Sequence, residues 1–137
     1  MIAPNSSLGR LTPFLLLVAA VALVFGPSIG NEFLFWDDRR HILFNSALVN
    51  KEVIGFWRAP YFGLFIPVSY SIWTLIYAVF PSATAFHIFN LSLHALNSVL
   101  VFGIARRLIP SERSSIALLT AFYFALHPLH VETLGWI

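Results

Sequence analysis

The chain has 137 residues, of which 58% are hydrophobic and 10% are charged, whereas soluble domains carry roughly 25% charged residues. This composition excludes an ordinary soluble domain and indicates an integral membrane protein. The formal net charge is only +2, and the eight basic residues are scattered along the chain. Because there is no basic stripe of the kind that nucleic acid requires, we expect no nucleic-acid partner. The absence of cysteine excludes disulfides and cysteine-based metal sites.

Long apolar runs predict an all-α fold with about three membrane-spanning helices. A helix rises about 1.5 Å per residue, so a run of about 20 residues crosses a hydrocarbon core of about 30 Å. We place the spans at residues 11–29, 86–105 and 111–128. Ser111 and Glu112 are the predicted start of the third span, with serine as the cap. The first span has no small-residue cleavage site after it, so we interpret it as a retained helix and not as a signal peptide.

Residues 30–85 form an outer loop between the first two spans. Within this loop, residues 61–80 are apolar enough to cross the membrane, and charge argues against a crossing. If this segment stays outside, the arginines that flank the spans all lie on the cytoplasmic side, as the positive-inside rule requires. These are Arg10, Arg106, Arg107 and Arg113. We therefore expect residues 61–80 to form a helix or re-entrant segment in the outer interface, preceded by a short amphipathic piece at residues 50–57.

The second span carries a polar stripe, which consists of His87, Asn90, His94 and Asn97. Spacings of three and four residues put all of them on one helix face. A polar group that faces lipid is unsatisfied at a cost of several kcal/mol, so this face is predicted to point into a bundle of further helices. We favour interhelical hydrogen bonding as its role, and a ligand-lining role stays open.

The third span is followed by two histidines and a carboxylate within six residues, namely His127, His130 and Glu132. Such groups can bind a divalent metal or a phosphate-bearing ligand. Pro128 breaks the helix, however, so the histidines are not the i, i+4 pair of a helical zinc site. A helix end at which the histidines reach the interface and Glu132 is solvated is an equal alternative.

Two adjacent carboxylates, Asp37 and Asp38, follow the first span. Aspartate is common in turns, where its side chain bonds the local backbone. A carboxylate between an aromatic ring and guanidinium groups can also be held ionised and oriented, as a general base or a metal ligand requires. Arg39, Arg40 or Arg58 could neutralise a phosphate. The residues alone leave a catalytic and a structural role open.

Three ordered stretches, residues 31–45, 86–97 and 124–137, together resemble the N-terminal membrane region of the transmembrane and tetratricopeptide-repeat proteins. They read NEFLFWDDRRHILFN, FHIFNLSLHALN and FALHPLHVETLGWI. That family resembles the protein O-mannosyltransferases, which are glycosyltransferases of the GT-C structural class. The resemblance implies a multi-spanning enzyme that takes a sugar from a polyprenyl-phosphate donor in the membrane lipid. The sugar would be attached to a hydroxyl of an acceptor protein outside the cytoplasm.

In that class the catalytic centre is expected to be an acidic residue of the first outer loop, which matches Asp37 and Asp38 here. We expect Asp37 to be the base that takes the proton of the acceptor hydroxyl in an inverting displacement, with the lipid phosphate as leaving group. Arg40 and Arg58 are candidates for the cation that stabilises this phosphate, and a divalent metal is possible. By the same resemblance, three residues are expected near the donor phosphate: His127, His130 and Glu132.

The family resemblance further implies many more spans than this chain contains, and helical repeats with a period of about 34 residues. We therefore expect the chain to be the N-terminal part of a larger enzyme and to be inactive alone. Its membrane is expected to be a bacterial inner membrane or the endoplasmic reticulum. A non-catalytic multi-pass protein, such as a transporter subunit or assembly factor, is the alternative. A metal-binding sensor that uses the histidines is a third hypothesis.

Overall fold

The computed structural model describes residues 7–110 and 114–137, with side chains from Leu11 onward. This described part contains no β-strand, which confirms the predicted all-α fold. Its α-helices in chain order are α1 (Ser7–Phe25), α2 (Ser46–Val49), α3 (Val53–Phe56), α4 (Pro67–Val79), α5 (Ala83–Leu108), α6 (Ser114–Ala125) and α7 (His130–Gly135). A 3-10 turn (Gly26–Gly30) follows α1, and a π-helix (Arg39–Leu43) precedes α2.

Two segments of the described chain are long and apolar enough to cross a membrane, Leu11–Gly30 and Ala83–Leu108. They correspond to the first two predicted spans. The 26 residues of α5 rise about 39 Å, which exceeds the hydrocarbon thickness. Arg106 and Arg107 lie in its last turn, where cations complement the helix dipole. The second predicted span is therefore a helix with a charged end.

The third predicted span is represented by α6, which has 12 residues and is about 18 Å long. Its predicted start at Ser111 and Glu112 lies outside the described residues.

The predicted helix within residues 61–80 is confirmed as α4, which has 13 residues. Pro67 occupies its first turn, where the missing N–H is harmless. The position of both short helices relative to a membrane stays a prediction.

Contacts divide the chain into two compact units. The first unit comprises the residues up to Ser28 together with Phe89–Leu134. Its core consists of buried side chains of α1, α5, α6 and α7, namely Leu17, Val21, Phe25, Phe102, Ala105, Ala117, Ala121, Ala125 and Leu134. The three alanines of α6 recur every four residues, so they form one small-residue face that lets a neighbouring helix approach closely.

The second unit comprises Ile29–Ile88 and Gly135–Ile137. It contains residues 30–85, the predicted outer loop, and has its own core of Ile42, Leu48, Phe56, Tyr70 and Phe86. The rings of Phe56 and Tyr70 are stacked with their centroids 4.6 Å apart. Offset aromatic stacking adds to the burial of apolar area, so the loop is packed around α4.

Candidate functional site

The adjacent aspartates begin a short helical segment that continues as the π-helix. The N–H of Phe44 donates to the carbonyl of Arg39, five residues earlier, over 2.7 Å. This spacing defines a π-helix, and π segments occur frequently at functional sites. The acidic turn, residues 37–44, is therefore an irregular element that the surrounding contacts must hold in place.

Asp38 is the structural member of the pair. Its side chain is 1% exposed. One carboxylate oxygen accepts a hydrogen bond from the N–H of Leu34 at 2.8 Å, and the other accepts one from the N–H of Ile137 at 3.3 Å. Such charge-assisted bonds are stronger than neutral ones. Asp38 thus joins the acidic turn to a segment that is 99 residues away in sequence.

Asp37 differs from Asp38 both in its burial and in its hydrogen bonds. Its side chain is half-buried, and no described residue forms a hydrogen bond or an ion pair with its carboxylate. A carboxylate that is partly shielded from water and has no protein partner is able to accept a proton from a bound hydroxyl. Of the two sequence-predicted aspartates, only Asp37 keeps its oxygens available.

A buried hydrogen-bonded pair, His41 and Tyr70, holds the acidic turn against α4. The Tyr70 hydroxyl on α4 and Nδ1 of His41 share a hydrogen bond of 2.7 Å. Burial, with a smaller contribution from Tyr61, raises the pKa of Tyr70 to about 12. The tyrosine therefore stays protonated at physiological pH, and its hydroxyl can donate to a neutral imidazole. Asn45 adds a second tie, because its side chain donates to the His41 carbonyl at 3.1 Å and accepts from the N–H of Leu48 at 3.2 Å.

A strained tight turn lies against the same segment. Backbone bonds in both directions between Tyr61 and Leu64 enclose Phe62 and Gly63, whose φ angles are +46° and +80°. Positive φ at both central positions is typical of a type I′ turn, and it is unfavourable for a bulky residue such as phenylalanine. In this turn the Phe62 ring lies 5.0 Å from the guanidinium of Arg40 and 5.6 Å from the ring of His41.

A pocket of about 500 Å³ opens beside the acidic turn, and its lining residues are Phe35, Trp36, Arg39, Arg40 and Phe44. We call it the arginine pocket. The Arg39 guanidinium lies 4.5 Å from the centre of the Phe35 ring. Neither aspartate is among the lining residues. Arg58, which the sequence analysis grouped with Arg40, is exposed after α3 and does not line this pocket.

Three histidines of the first unit cluster at the C-terminal end of α6, namely His94, His127 and His130. The Nε2–H of His94 donates to the Ala125 carbonyl over 2.9 Å. The His130 ring lies 4.5 Å from that of His94 and 6.4 Å from that of His127. Burial is the main cause that lowers the pKa of His130, and the neighbouring His94 and His127 lower it further. Each of these disfavours a further positive charge. His94 therefore joins the two histidines that the sequence analysis had paired.

Glu132 is exposed on α7 and is not among the residues of this cluster. The predicted helix break at Pro128 is confirmed, since α6 ends at Ala125 and α7 begins at His130. Across residues 7–110 and 114–137, no group of three histidine, aspartate or glutamate side chains is placed to hold a metal ion.

Comparison with known proteins finds a similarity to the protein O-mannosyl-transferase Tmtc1 of Drosophila melanogaster. The two sequences are 30% identical over an alignment of 129 residues, and the match covers 85% of this chain and 15% of the fly protein. The chain thus spans a small part of the relative that it matches. No family model matches the chain, and no solved structure matches it. The similarity agrees with the resemblance carried by the three motifs.

Sequence reasoning missed three contributors to these sites: Tyr70, Phe62 and the partnership of His94 with His130. Tyr70 and His41 are 29 residues apart, and nothing in the local pattern links them. A glycine at position 63 was the available signal for the tight turn, because glycine tolerates positive φ. For His94 the signal was the polar stripe, which marked the residue without identifying its partner.

Proposed function

We propose that this chain is the N-terminal membrane part of a protein O-mannosyltransferase-like glycosyltransferase of the transmembrane and tetratricopeptide-repeat family. It would act on the non-cytoplasmic side of its membrane, with a polyprenyl-phosphate sugar as donor and a protein hydroxyl as acceptor. Support comes from the similarity to the fly transferase, from two helices suited to span a membrane, and from the order of the three motifs.

The observation that carries the proposal is the difference between the two aspartates. Both oxygens of Asp38 are occupied by backbone N–H groups, whereas the half-buried carboxylate of Asp37 has no partner in the described chain. A general base needs an ionised oxygen that the acceptor hydroxyl can reach. Asp37 would take the hydroxyl proton as the acceptor oxygen attacks the sugar, and the lipid phosphate would leave from the opposite face.

The departing phosphate needs a positive partner, because negative charge develops on it in the transition state. We propose Arg40 and Arg58 for this role. His127, His130 and Glu132 would lie on the donor side and help to orient the phosphate, and a divalent metal is compatible with this chemistry. Arg40 is exposed and belongs to the same acidic turn as Asp37, which supports its assignment more directly than the position of Arg58 after α3 does.

The test is Asp37→Asn in the complete product of the gene, assayed for transfer of mannose from polyprenyl-phosphate mannose to an acceptor protein in isolated membranes. We expect transfer to fall at least about 100-fold, which is typical of the loss of a general base, with normal abundance of the protein. Glu32→Gln is the matched control, since Glu32 is an exposed carboxylate of the same loop, and it should keep full transfer.

Asp38→Asn separates catalysis from structure. Because Asp38 is buried and holds two backbone N–H groups, its replacement should lower the abundance and melting temperature of the protein, which Asp37→Asn should not. Unchanged transfer by Asp37→Asn would refute the assignment of the base. If the complete protein transfers no sugar in any form, the non-catalytic multi-pass alternative is favoured.

A further inference from the structure

We infer that the arginine pocket binds the phosphate group of a bilayer phospholipid, with Arg39 as the principal contact. Binding there would anchor the acidic turn at the membrane surface. This goes beyond the proposed function, because the lipid is neither the sugar donor nor the acceptor, and it requires only that the chain is embedded in a bilayer.

The pocket contains positive charge that the protein leaves uncompensated. Nε of Arg39 is buried and has no hydrogen-bond acceptor among the described residues, whereas the two terminal nitrogens of the guanidinium, which have none there either, are accessible. No carboxylate of the described chain forms an ion pair with Arg39 or Arg40. A guanidinium with unfilled donors attracts an anion, and its planar fork matches the oxygens of a phosphate.

The walls of the pocket fit a ligand that is held at a lipid surface. Phe35, Trp36 and Phe44 are 80%, 79% and 69% exposed, which is unusual for large aromatic side chains facing water. Tryptophan is enriched at the level of the headgroups, and phenylalanine is typical of the apolar face of segments that lie in the interface. Phe35 is five residues after Gly30, which ends the first candidate span. Cations at this level attract anionic lipids.

A lipid phosphate can also come from the polyprenyl donor, and the geometry favours the phospholipid. During sugar transfer the donor phosphate must be adjacent to the acceptor hydroxyl and hence close to the base. Neither Asp37 nor Asp38 lines the arginine pocket. Arg40 also reaches the pocket, but its guanidinium lies over Phe62, so the inference depends on Arg39.

The experiment uses the full chain, purified in a non-ionic detergent, and counts bound lipid by native mass spectrometry during titration with phosphatidylglycerol. Arg39→Gln should weaken binding and raise the apparent dissociation constant about tenfold, as expected for the loss of a charged hydrogen bond. Lys51→Gln removes the charge of an exposed cation outside the pocket and should leave binding unchanged. Phe44→Ala, at an exposed wall position, should also weaken binding. Circular dichroism confirms that each variant keeps its helices.

Equal binding by Arg39→Gln and the unmodified chain would overturn the inference, as would an equal loss in Lys51→Gln, which would indicate non-specific attraction. Competition identifies the source of the phosphate. Displacement of phosphatidylglycerol by equimolar polyprenyl monophosphate would reassign the pocket to the donor, and displacement by millimolar inorganic phosphate would reassign it to a soluble anion. Either result overturns the phospholipid assignment. Failure of Asp37→Asn to affect sugar transfer leaves this inference untouched.

Discussion

The two adjacent aspartates of this chain have different surroundings. Asp38 gives both oxygens to backbone N–H groups of Leu34 and Ile137, so its hydrogen-bonding capacity serves the fold. Asp37 is one residue earlier on the same short helical segment and is half-buried without such partners. Neighbouring helical residues point in directions about 100° apart, and this rotation is sufficient to separate a structural carboxylate from an available one.

His130 provides a pH-dependent contribution to stability at the residue scale. Burial and the neighbouring imidazoles of His94 and His127 lower its pKa in the folded chain, whereas the pKa in the unfolded chain is about 6.5. The unfolded state therefore binds more protons between the two values, so stability rises with pH there. The stabilisation is fully present above the unfolded pKa and is lost as the pH falls through the folded pKa.

We predict that the melting temperature of the detergent-solubilised chain falls when the pH is lowered from about 7.5 to about 5. Replacement of His130 by glutamine removes the titrating group and should flatten this dependence. Thermal denaturation of both proteins, followed by circular dichroism at several pH values, measures the effect. An identical pH dependence in His130→Gln would show that the histidine cluster does not contribute to stability in this way.

At the scale of the elements, close packing of α6 depends on its alanine face. Ala121 is fully buried in the core cluster that also contains Leu17 and Val21 of α1. A methyl group leaves little space around it in a close-packed interior, so a larger side chain must displace α1 or adopt a strained rotamer.

Ala121→Leu is predicted to lower the free energy of unfolding by about 1–3 kcal/mol, the range for overpacked cores. Chemical denaturation in detergent checks this value. Thr120→Leu adds the same side chain at the preceding position, which is exposed, and should be close to neutral. Similar stability of the two variants would mean that the alanine face of α6 is not a packing constraint.

The polar stripe of α5 shows how well helical spacing predicts which residues are buried. His87 and His94 are buried as predicted, whereas Asn97 is exposed and the adjacent Ser98 is buried. Spacing correctly places residues on a common face, but the edge of that face depends on which helix packs against it. Ser98 also donates to the His94 carbonyl at 2.9 Å, a local bond that makes it compatible with an apolar interior.

At the scale of the whole molecule, the charge distribution predicts a topology that chemical labelling can test. The chain has no cysteine, so single cysteines are specific labels. Glu52 lies in the predicted outer loop, and Leu108 is the last residue of α5 and is exposed. If residues 61–80 remain outside, a membrane-impermeant maleimide applied to intact bacterial cells that carry the chain in their inner membrane should label Glu52→Cys and should not label Leu108→Cys.

Permeabilised cells provide the control, because both cysteines should then react. Labelling of Leu108→Cys in intact cells would place Arg106 and Arg107 outside the cytoplasm. It would mean that residues 61–80 cross the membrane. The positive-inside rule predicts the opposite.

The sequence by itself determined the all-α class, the two long apolar helices, the helix within residues 61–80 and the break at Pro128. All of these depend on the composition or periodicity of short windows, which local hydrophobicity and backbone preference control. The motifs also identified the aspartates and histidines as the residues to examine.

Only the tertiary structure decided what those residues do. The bond of Asp38 to Ile137, the pair formed by His41 and Tyr70, and the bond of His94 to Ala125 join positions 99, 29 and 31 residues apart. Local patterns carry no information about such pairs, because partners distant in sequence are brought together by the packing of whole elements. The same packing made Asp38 structural and left Asp37 available.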